Sequence, residues 1–170
     1  MLHGSKEKFG IEFMLNHDHG RSWLYGKFCY WIAGTRVGNY DAGTSLRDVM
    51  TAMKYIVGDA HNRNGEALCG CADEDVFNSL NDSLYESSYL EGKPPIELPD
   101  MFARYNIKPD IEVFDGWGVY LLDCGAEGRI LYKRLGAGPV LREAVSVDEC
   151  DEVIVRAHEN LVSLYNKYNC

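Results

Sequence analysis

Hydrophobic and polar positions alternate along the first part of the chain with the two-residue period of a half-buried β-strand. Over residues 8–15, phenylalanine, isoleucine or leucine occupies every odd position. Residues 23–34 follow as a long strand rich in aromatic side chains, which favour a pleated surface. A turn at Gly34 leads into a short third strand over residues 36–40. These segments predict an antiparallel meander.

Helical spacing replaces this alternation after Thr44. Ser45 is placed to cap a helix, with Asp48 three residues later as in a capping box, and Gly58 weakens or ends that helix. A second helix begins near Asp73. The apolar positions that recur at helical spacing are Leu46, Val49, Met50, Met53, Ile56 and Val57 in the first helix, and Val76, Phe77, Leu80 and Leu84 in the second.

The chain closes with a long amphipathic helix that begins near Ser146 and Glu149, a second possible capping box. Its inner face runs over about five turns. The side chains that trace this face are Cys150, Val153, Ile154, Ala157, Leu161, Leu164, Tyr165 and Tyr168. We expect the helix to lie across the sheet.

Four further segments have the composition of strands, at residues 111–114, 117–124, 129–135 and 140–147. They are too closely spaced for helical crossovers, which favours antiparallel pairing. The predicted fold class is therefore α+β, with an antiparallel sheet of two meanders and about six to seven strands. Two central helices and the long C-terminal helix pack on it, and residues 1–170 form one domain.

The opening residues lack the apolar core of an export signal, and no run approaches the roughly 18 apolar residues of a membrane helix. We therefore expect a cytoplasmic protein without membrane contact. In that compartment the six cysteines are expected to be reduced thiols.

The net charge of −9 is concentrated in the middle of the chain. Residues 64–100 carry nine Asp and Glu against one Lys, and residues 64–92 contain no Lys or Arg. A surface of this sign repels phosphate backbones, so direct nucleic-acid binding is disfavoured. A basic protein is the natural partner.

No residue set suggests catalysis, and we expect neither an enzyme nor a cofactor. His17 with His19, and Cys69 with Cys71, lack the spacing of a recognised zinc site, so no metal is expected. The aromatic residues of the second strand fit a ligand cleft, but sheet core with cross-strand pairing is the commoner arrangement. These residues are Trp23, Tyr25, Tyr30 and Trp31.

The second helix offers a candidate partner-binding face. On a helical wheel Asp75, Asp82 and Glu86 lie almost opposite the apolar side, and Tyr85 and Tyr89 flank them. A merely solvated face explains this stripe as well. The functional interpretation is that the acids steer a basic partner while the tyrosines supply contact area.

Five segments in this order resemble the Imm42-type immunity proteins of bacterial polymorphic toxin systems. They are GSKEKFGIEF, YGKFCYWIAGTRVG, TSLRDV, DGWGVYLLDCGAEGRILYK and DECDEVIVRAHENL. The resemblance implies a cytosolic antidote that binds the C-terminal domain of a cognate toxin, and it brings no catalytic residues. Toxins of such systems are frequently nucleases with basic faces, which an acidic partner can cover.

Two other functions stay open at this point. A small ligand-binding or hydrolytic domain would use the aromatic strand between Trp23 and Trp31 and the loop from Pro94 to Pro99 as a pocket. A structural adaptor without inhibitory role is the third. A neighbouring gene for a large secreted protein with a short variable end would favour the immunity function.

Overall fold

The structure is a computed structural model that describes residues 1–85, 96–125 and 127–169. These residues form eight β-strands and four α-helices. The strands are β1 Leu2–Gly4, β2 Phe9–Leu15, β3 Tyr25–Ile32, β4 Thr35–Val37, β5 Thr44–Ser45, β6 Trp117–Asp123, β7 Gly128–Arg134 and β8 Ala137–Val145. The α-helices are α1 Leu46–Gly58, α2 Glu66–Cys69, α3 Asp73–Tyr85 and α4 Val147–Asn169. Short 3₁₀ helices lie at Arg21–Trp23, Phe102–Tyr105 and Glu112–Phe114. The predicted α+β class with antiparallel pairing is confirmed.

The described strands belong to two separate sheets in two compact units. Unit 1 comprises Met1–His61, Pro109–Asp115 and Asp148–Cys170. Unit 2 comprises Asn62–Lys108 and Gly116–Val147. Each unit contains one of the two predicted meanders.

The sheet of unit 1 has the order β1-β2-β3-β4, and β5 pairs with the other end of β3. Strands β2 and β3 run antiparallel, with Phe9 opposite Ile32 and Phe13 opposite Phe28. All four of these side chains are buried. The alternation in the sequence therefore did identify the inner face of β2.

Two predicted helices complete unit 1. The Ser45 hydroxyl accepts a hydrogen bond of 3.2 Å from the Asp48 backbone N–H, so the predicted cap of α1 is confirmed. Helix α4 packs on β1, because a Cβ atom added at Gly4 would lie 2.9 Å from Val153 Cγ2. The buried side chains of the two helices are Leu46, Val49, Met50, Met53 and Ile56 in α1, and Val147, Cys150, Asp151, Ile154, Ala157 and Leu161 in α4.

Unit 2 is a three-stranded meander with helices packed on it. Strands β6 and β7 pair from Trp117 opposite Arg134 to Asp123 opposite Gly128, and β8 pairs with β7. This hairpin was predicted. Its hydrophobic cluster consists of Leu68, Val76, Phe77, Leu80, Tyr105, Tyr120, Leu122 and Leu131.

The predicted strand over residues 111–114 is wrong. The segment forms a 3₁₀ helix in which the Phe114 N–H donates to the Ile111 carbonyl at 2.9 Å. Two consecutive side chains, Val113 and Phe114, are buried, whereas a strand would alternate. Phe114 packs edge-on against Tyr30, with ring centroids 4.9 Å apart.

The strand boundaries also differ at the aromatic strand, which begins at Tyr25 and not at Trp23. The cause is local, since Arg21 and Leu24 both adopt left-handed backbone with φ of 53° and place a 3₁₀ turn before the strand. Two strands of three and two residues, β1 and β5, were not predicted.

The expectation that all cysteines are reduced thiols is wrong for two of them. Cys69 and Cys124 form a disulfide with their Cα atoms 5.8 Å apart. The neighbouring backbone brings them together, because the Gly65 N–H donates to the Asp123 carbonyl at 2.8 Å. The expectation of reduced thiols was based on the cellular compartment, which does not indicate whether two cysteines lie close together. Among the described residues, Cys29, Cys71 and Cys150 are not part of a disulfide.

Candidate partner-binding surface

Helix α3 is fixed on the unit 2 sheet by its apolar side. Phe77 packs edge-on against Tyr120, with ring centroids 5.2 Å apart. Gly118 on β6 makes room for this contact, since a Cβ atom there would lie 2.5 Å from Phe77 Cζ. Val76 and Leu80 are also buried, so the opposite side of α3 is left to contact solvent or a partner.

The first turn of α3 is not the uncompensated acidic segment that the sequence predicted. Asp73 accepts a hydrogen bond of 2.6 Å from Arg129, and Glu74 accepts one of 3.0 Å from Lys133. The bond from Lys133 holds the pKa of Glu74 below its usual value. Both cations come from β7, which is distant in sequence, so the charge pattern of residues 64–92 does not contain them.

A signal for these ion pairs was present in β7. Arg129, Leu131 and Lys133 occupy alternate positions of one strand and therefore share one face. Leu131 belongs to the cluster under α3, so the two cations flank the apolar contact on the side that faces the helix.

Asp75 and Asp82, two of the predicted partner-binding residues, lie on the remaining surface of α3. Asp75 is exposed and Asp82 is half-buried. Neither forms an ion pair with any residue in 1–85, 96–125 or 127–169. Asp82 also lies close enough to Tyr120 to act on it. Burial raises the pKa of Tyr120, and the neighbouring Tyr85 and Asp82 raise it further.

Tyr85, the third described member of the predicted surface, is 46% exposed at the end of α3. Its hydroxyl oxygen accepts a hydrogen bond of 2.9 Å from the Asn106 side-chain amide. The Lys108 ammonium lies 4.7 Å from the ring centroid. The predicted contact residues Glu86 and Tyr89 lie outside the described residues.

The four aromatic residues of the second predicted strand separate into two groups. Tyr30 is fully buried, and Trp31 is half-buried and donates to Glu12 at 2.7 Å. Trp23 and Tyr25 are 45% and 46% exposed, with nearly parallel rings whose centroids lie 6.3 Å apart. The core interpretation holds for Tyr30, and the surface is left with an aromatic pair.

Tyr25 lines a cleft of about 630 Å³ in unit 1. The rest of the lining comes from Asn16, Gly26, residues 42–45, Asp48 and residues 110–112. The Ser45 hydroxyl donates to the Trp23 carbonyl at 2.9 Å, and no histidine or lysine lines the cleft. Of the groups that can activate a serine hydroxyl, the described lining contains only carboxylates, those of Asp48, Asp110 and Glu112. Of the predicted pocket loop, Pro94 and Pro95 lie outside the described residues.

Within residues 1–85, 96–125 and 127–169, no group of three or more His, Cys, Asp or Glu residues is placed to hold a metal ion. None of the described helices is long and apolar enough to span a membrane.

The profile of one protein family, described as immunity protein 42, matches residues 1–160. The chain belongs to the immunity protein 42 family. The resemblance found in the sequence is thereby confirmed, and the protein is an immunity protein, a class that neutralises toxins.

The fold of this immunity protein resembles the crystal structure of CdiI from Burkholderia dolosa AUO158, with a TM-score of 0.71. The two chains are 13% identical, and the match covers 94% of the immunity protein and 99% of the other chain. At this identity the likeness establishes the fold alone. The comparison with curated proteins found no match.

Proposed function

We propose that this immunity protein works in the cytoplasm as a single functional domain and neutralises its toxin by binding the toxin's C-terminal domain in a stoichiometric complex. The outer side of α3 supplies part of the contact. The observation that carries this assignment is that Asp75 and Asp82 have no ion-pair partner among the described residues and lie on the same helix as the exposed Tyr85.

The charge of the protein suits a basic toxin. Arg129 and Lys133 on β7 compensate the charges of Asp73 and Glu74 locally. The net charge of the whole chain, which includes these two pairs, is −9. A long-range negative potential accelerates the encounter with a basic partner and disfavours acidic competitors. A nuclease domain has a basic face for phosphate, so a nuclease of a contact-dependent inhibition system is the toxin we propose.

Tyr85 is suited to a contact residue because its position is already fixed. The hydrogen bond from Asn106 and the nearby Lys108 ammonium hold the ring while nearly half of its surface stays exposed. An ordered tyrosine loses little conformational entropy on binding. Glu86 and Tyr89 follow Tyr85 in the sequence and belong to the same prediction, and we include them in the proposed interface of roughly 800 Å² per partner.

The decisive experiment uses the toxin domain encoded beside this gene, mixed with the full-length immunity protein. Complex mass gives the stoichiometry, and the toxic activity measured with and without the immunity protein gives neutralisation. We expect a 1:1 complex and loss of toxicity. The Asp75→Lys, Asp82→Lys double variant should associate at least tenfold more slowly at low salt and show a weaker salt dependence.

A matched control is Glu152→Lys with Glu159→Lys on the exposed side of α4, which changes the net charge by the same amount. If both double variants slow association equally, net charge acts and the α3 surface does not. Absence of any complex between the unmodified proteins would contradict the proposed function itself.

A further inference from the structure

Trp23 and Tyr25 form an exposed aromatic pair on unit 1. Their rings lie within 6° of parallel, and each residue exposes nearly half of its surface. Single exposed apolar side chains are common on soluble proteins, but two stacked aromatic residues form a local apolar patch. Trp and Tyr are also the residues most enriched among those that dominate binding energies.

The backbone that carries Trp23 is held in an unusual conformation. Arg21 and Leu24, on either side of it, have φ of 53°, which is uncommon and unfavourable for residues with a side chain. The turn is clamped in place, since the Leu46 N–H donates to the Leu24 carbonyl at 3.0 Å and the Ser45 hydroxyl to the Trp23 carbonyl at 2.9 Å. Strain that the surrounding fold maintains is typical of functional positions.

The indole ring itself is fixed as well. The Arg47 guanidinium lies 3.8 Å from the centroid of the Trp23 ring. Arg47 in turn donates two hydrogen bonds, of 3.0 and 2.9 Å, to the Asp48 carboxylate. A partner that binds Trp23 therefore finds the side chain in place and does not have to order it.

The cleft beside Tyr25 is negatively charged. Its carboxylates are Asp48, which pairs with Arg47, and Asp110 and Glu112, which are exposed and form no ion pair with a described residue. No lysine, arginine or histidine is part of the described lining. An aromatic wall with carboxylates around it suits a guanidinium group, which stacks on rings and donates two hydrogen bonds to a carboxylate at once.

We propose that Trp23, Tyr25 and this cleft form an anchor for the toxin domain, and that the cleft takes an arginine side chain from a basic loop of that domain. The inference rests on the proposed function and assigns it a second contact surface. The acids of α3 govern the rate of encounter, whereas the anchor governs how long the complex lasts.

The test measures dissociation of the toxin domain from the full-length protein. Trp23→Ala and Tyr25→Ala should each raise the dissociation rate by about 30-fold or more, as expected for dominant contact residues. The control is Tyr55→Ala, a tyrosine of the same unit that is 80% exposed, which should change the rate less than threefold. Circular dichroism and a melting curve show that each variant is folded.

Because truncation at Trp23 can disturb the turn, a second pair of variants tests the cleft without touching it. Asp110→Asn with Glu112→Gln removes both charges from exposed positions and should raise the dissociation rate about tenfold. Replacing the toxin arginines one at a time by lysine should find one whose effect disappears in this double variant.

Four outcomes decide the inference. Dissociation rates of the Tyr25 variant and the cleft double variant within threefold of the unmodified protein overturn the anchor and leave the proposed function intact. Equal loss of binding in the Tyr55 control, or saturable binding of free methylguanidinium without any effect of the variants on the toxin, also overturns it. Failure of the unmodified protein to bind the toxin overturns the proposed function and the anchor together.

Discussion

Arg129 Nη1 lies 2.6 Å from Asp73 Oδ1, and this pair joins the first turn of α3 to strand β7. Arg129 is 3% exposed and also donates to the Leu68 carbonyl at 2.9 Å. Burial lowers the pKa of Arg129, and Asp73 opposes that shift. The ion pair therefore compensates a charge that the unit 2 core would otherwise bury alone.

The first prediction follows from this pair. Asp73→Asn should lower the free energy of unfolding by about 2–3 kcal/mol, because it leaves the buried guanidinium without a counter-charge. Asp75→Asn, two positions along the same helix, should change it by less than about 0.5 kcal/mol, since Asp75 is exposed and forms no ion pair among the described residues. Urea denaturation of both variants measures the difference, and equal losses would contradict the assigned role of Asp73.

The same pair shows how far sequence reasoning reaches here. The period of apolar residues identified β2, β6, β7, α1, α3 and α4, since each element buries one regular face. It did not identify which cations meet the acids of α3, because Arg129 and Asp73 are 56 residues apart and only the register of β7 brings them together. Helical and strand periods depend on residues that are near each other in sequence, so they cannot predict contacts between distant residues.

The candidate surface was predictable to a similar extent. A helical wheel placed Asp75, Asp82 and Tyr85 on one side of α3 because their positions depend on local geometry alone. The cleft beside Tyr25 was not predictable, since its lining includes residues 110–112, and the strand predicted over residues 111–114 is wrong. The left-handed residues around Trp23 are equally hidden from propensity rules, because Arg21 and Leu24 rarely adopt that conformation.

The second prediction concerns the disulfide. Cys69 and Cys124 are separated by 55 residues. Closing a loop of that size lowers the conformational entropy of the unfolded chain, which stabilises the folded state by up to about 4 kcal/mol. Reducing agent should therefore lower the free energy of unfolding by about 2–4 kcal/mol. A Cys69→Ser, Cys124→Ser double variant should have the lower stability already and should not respond to the reducing agent. Titration of free thiols before and after unfolding checks the pairing, and a protein whose stability ignores reduction would refute the prediction.

The third prediction concerns acid sensitivity through His158 on α4. Burial lowers the pKa of His158, as does Lys54, while a hydrogen bond to the Met50 backbone and Glu159 oppose the shift. Its Nε2 atom is buried without a hydrogen-bond partner among the described residues, so a second N–H would be unsatisfied. Because the folded-state pKa lies below that of the unfolded chain, about 6.5, the unfolded state takes up the proton first.

The stability that the neutral His158 contributes is therefore fully present above about pH 6.5, and it is lost as the pH falls from there through the lower folded-state pKa. His158→Gln should therefore lose less stability than the unmodified protein between pH 7.5 and 5. The exposed His17→Gln is the control and should retain the full pH dependence. Burial also lowers the pKa of His3, so the His158 variant should reduce the dependence without abolishing it.

The last prediction tests the contact that seats α3 on its sheet. Gly118 lies under Phe77, and a methyl group there would come within 2.5 Å of Phe77 Cζ and 3.0 Å of Phe77 Cε2. Gly118→Ala should therefore displace the Phe77 ring from its edge-on contact with Tyr120 and lower the free energy of unfolding by about 1–3 kcal/mol. Gly70→Ala is the matched control, because Gly70 has an ordinary φ of −83° and no atom within 4 Å of the added methyl. It should be neutral or slightly stabilising through the unfolded chain.

Since Asp75 and Asp82 depend on the position of α3 on its sheet, Gly118→Ala should also slow toxin association. Normal association by a destabilised Gly118→Ala protein would show that the helix position does not set the encounter rate.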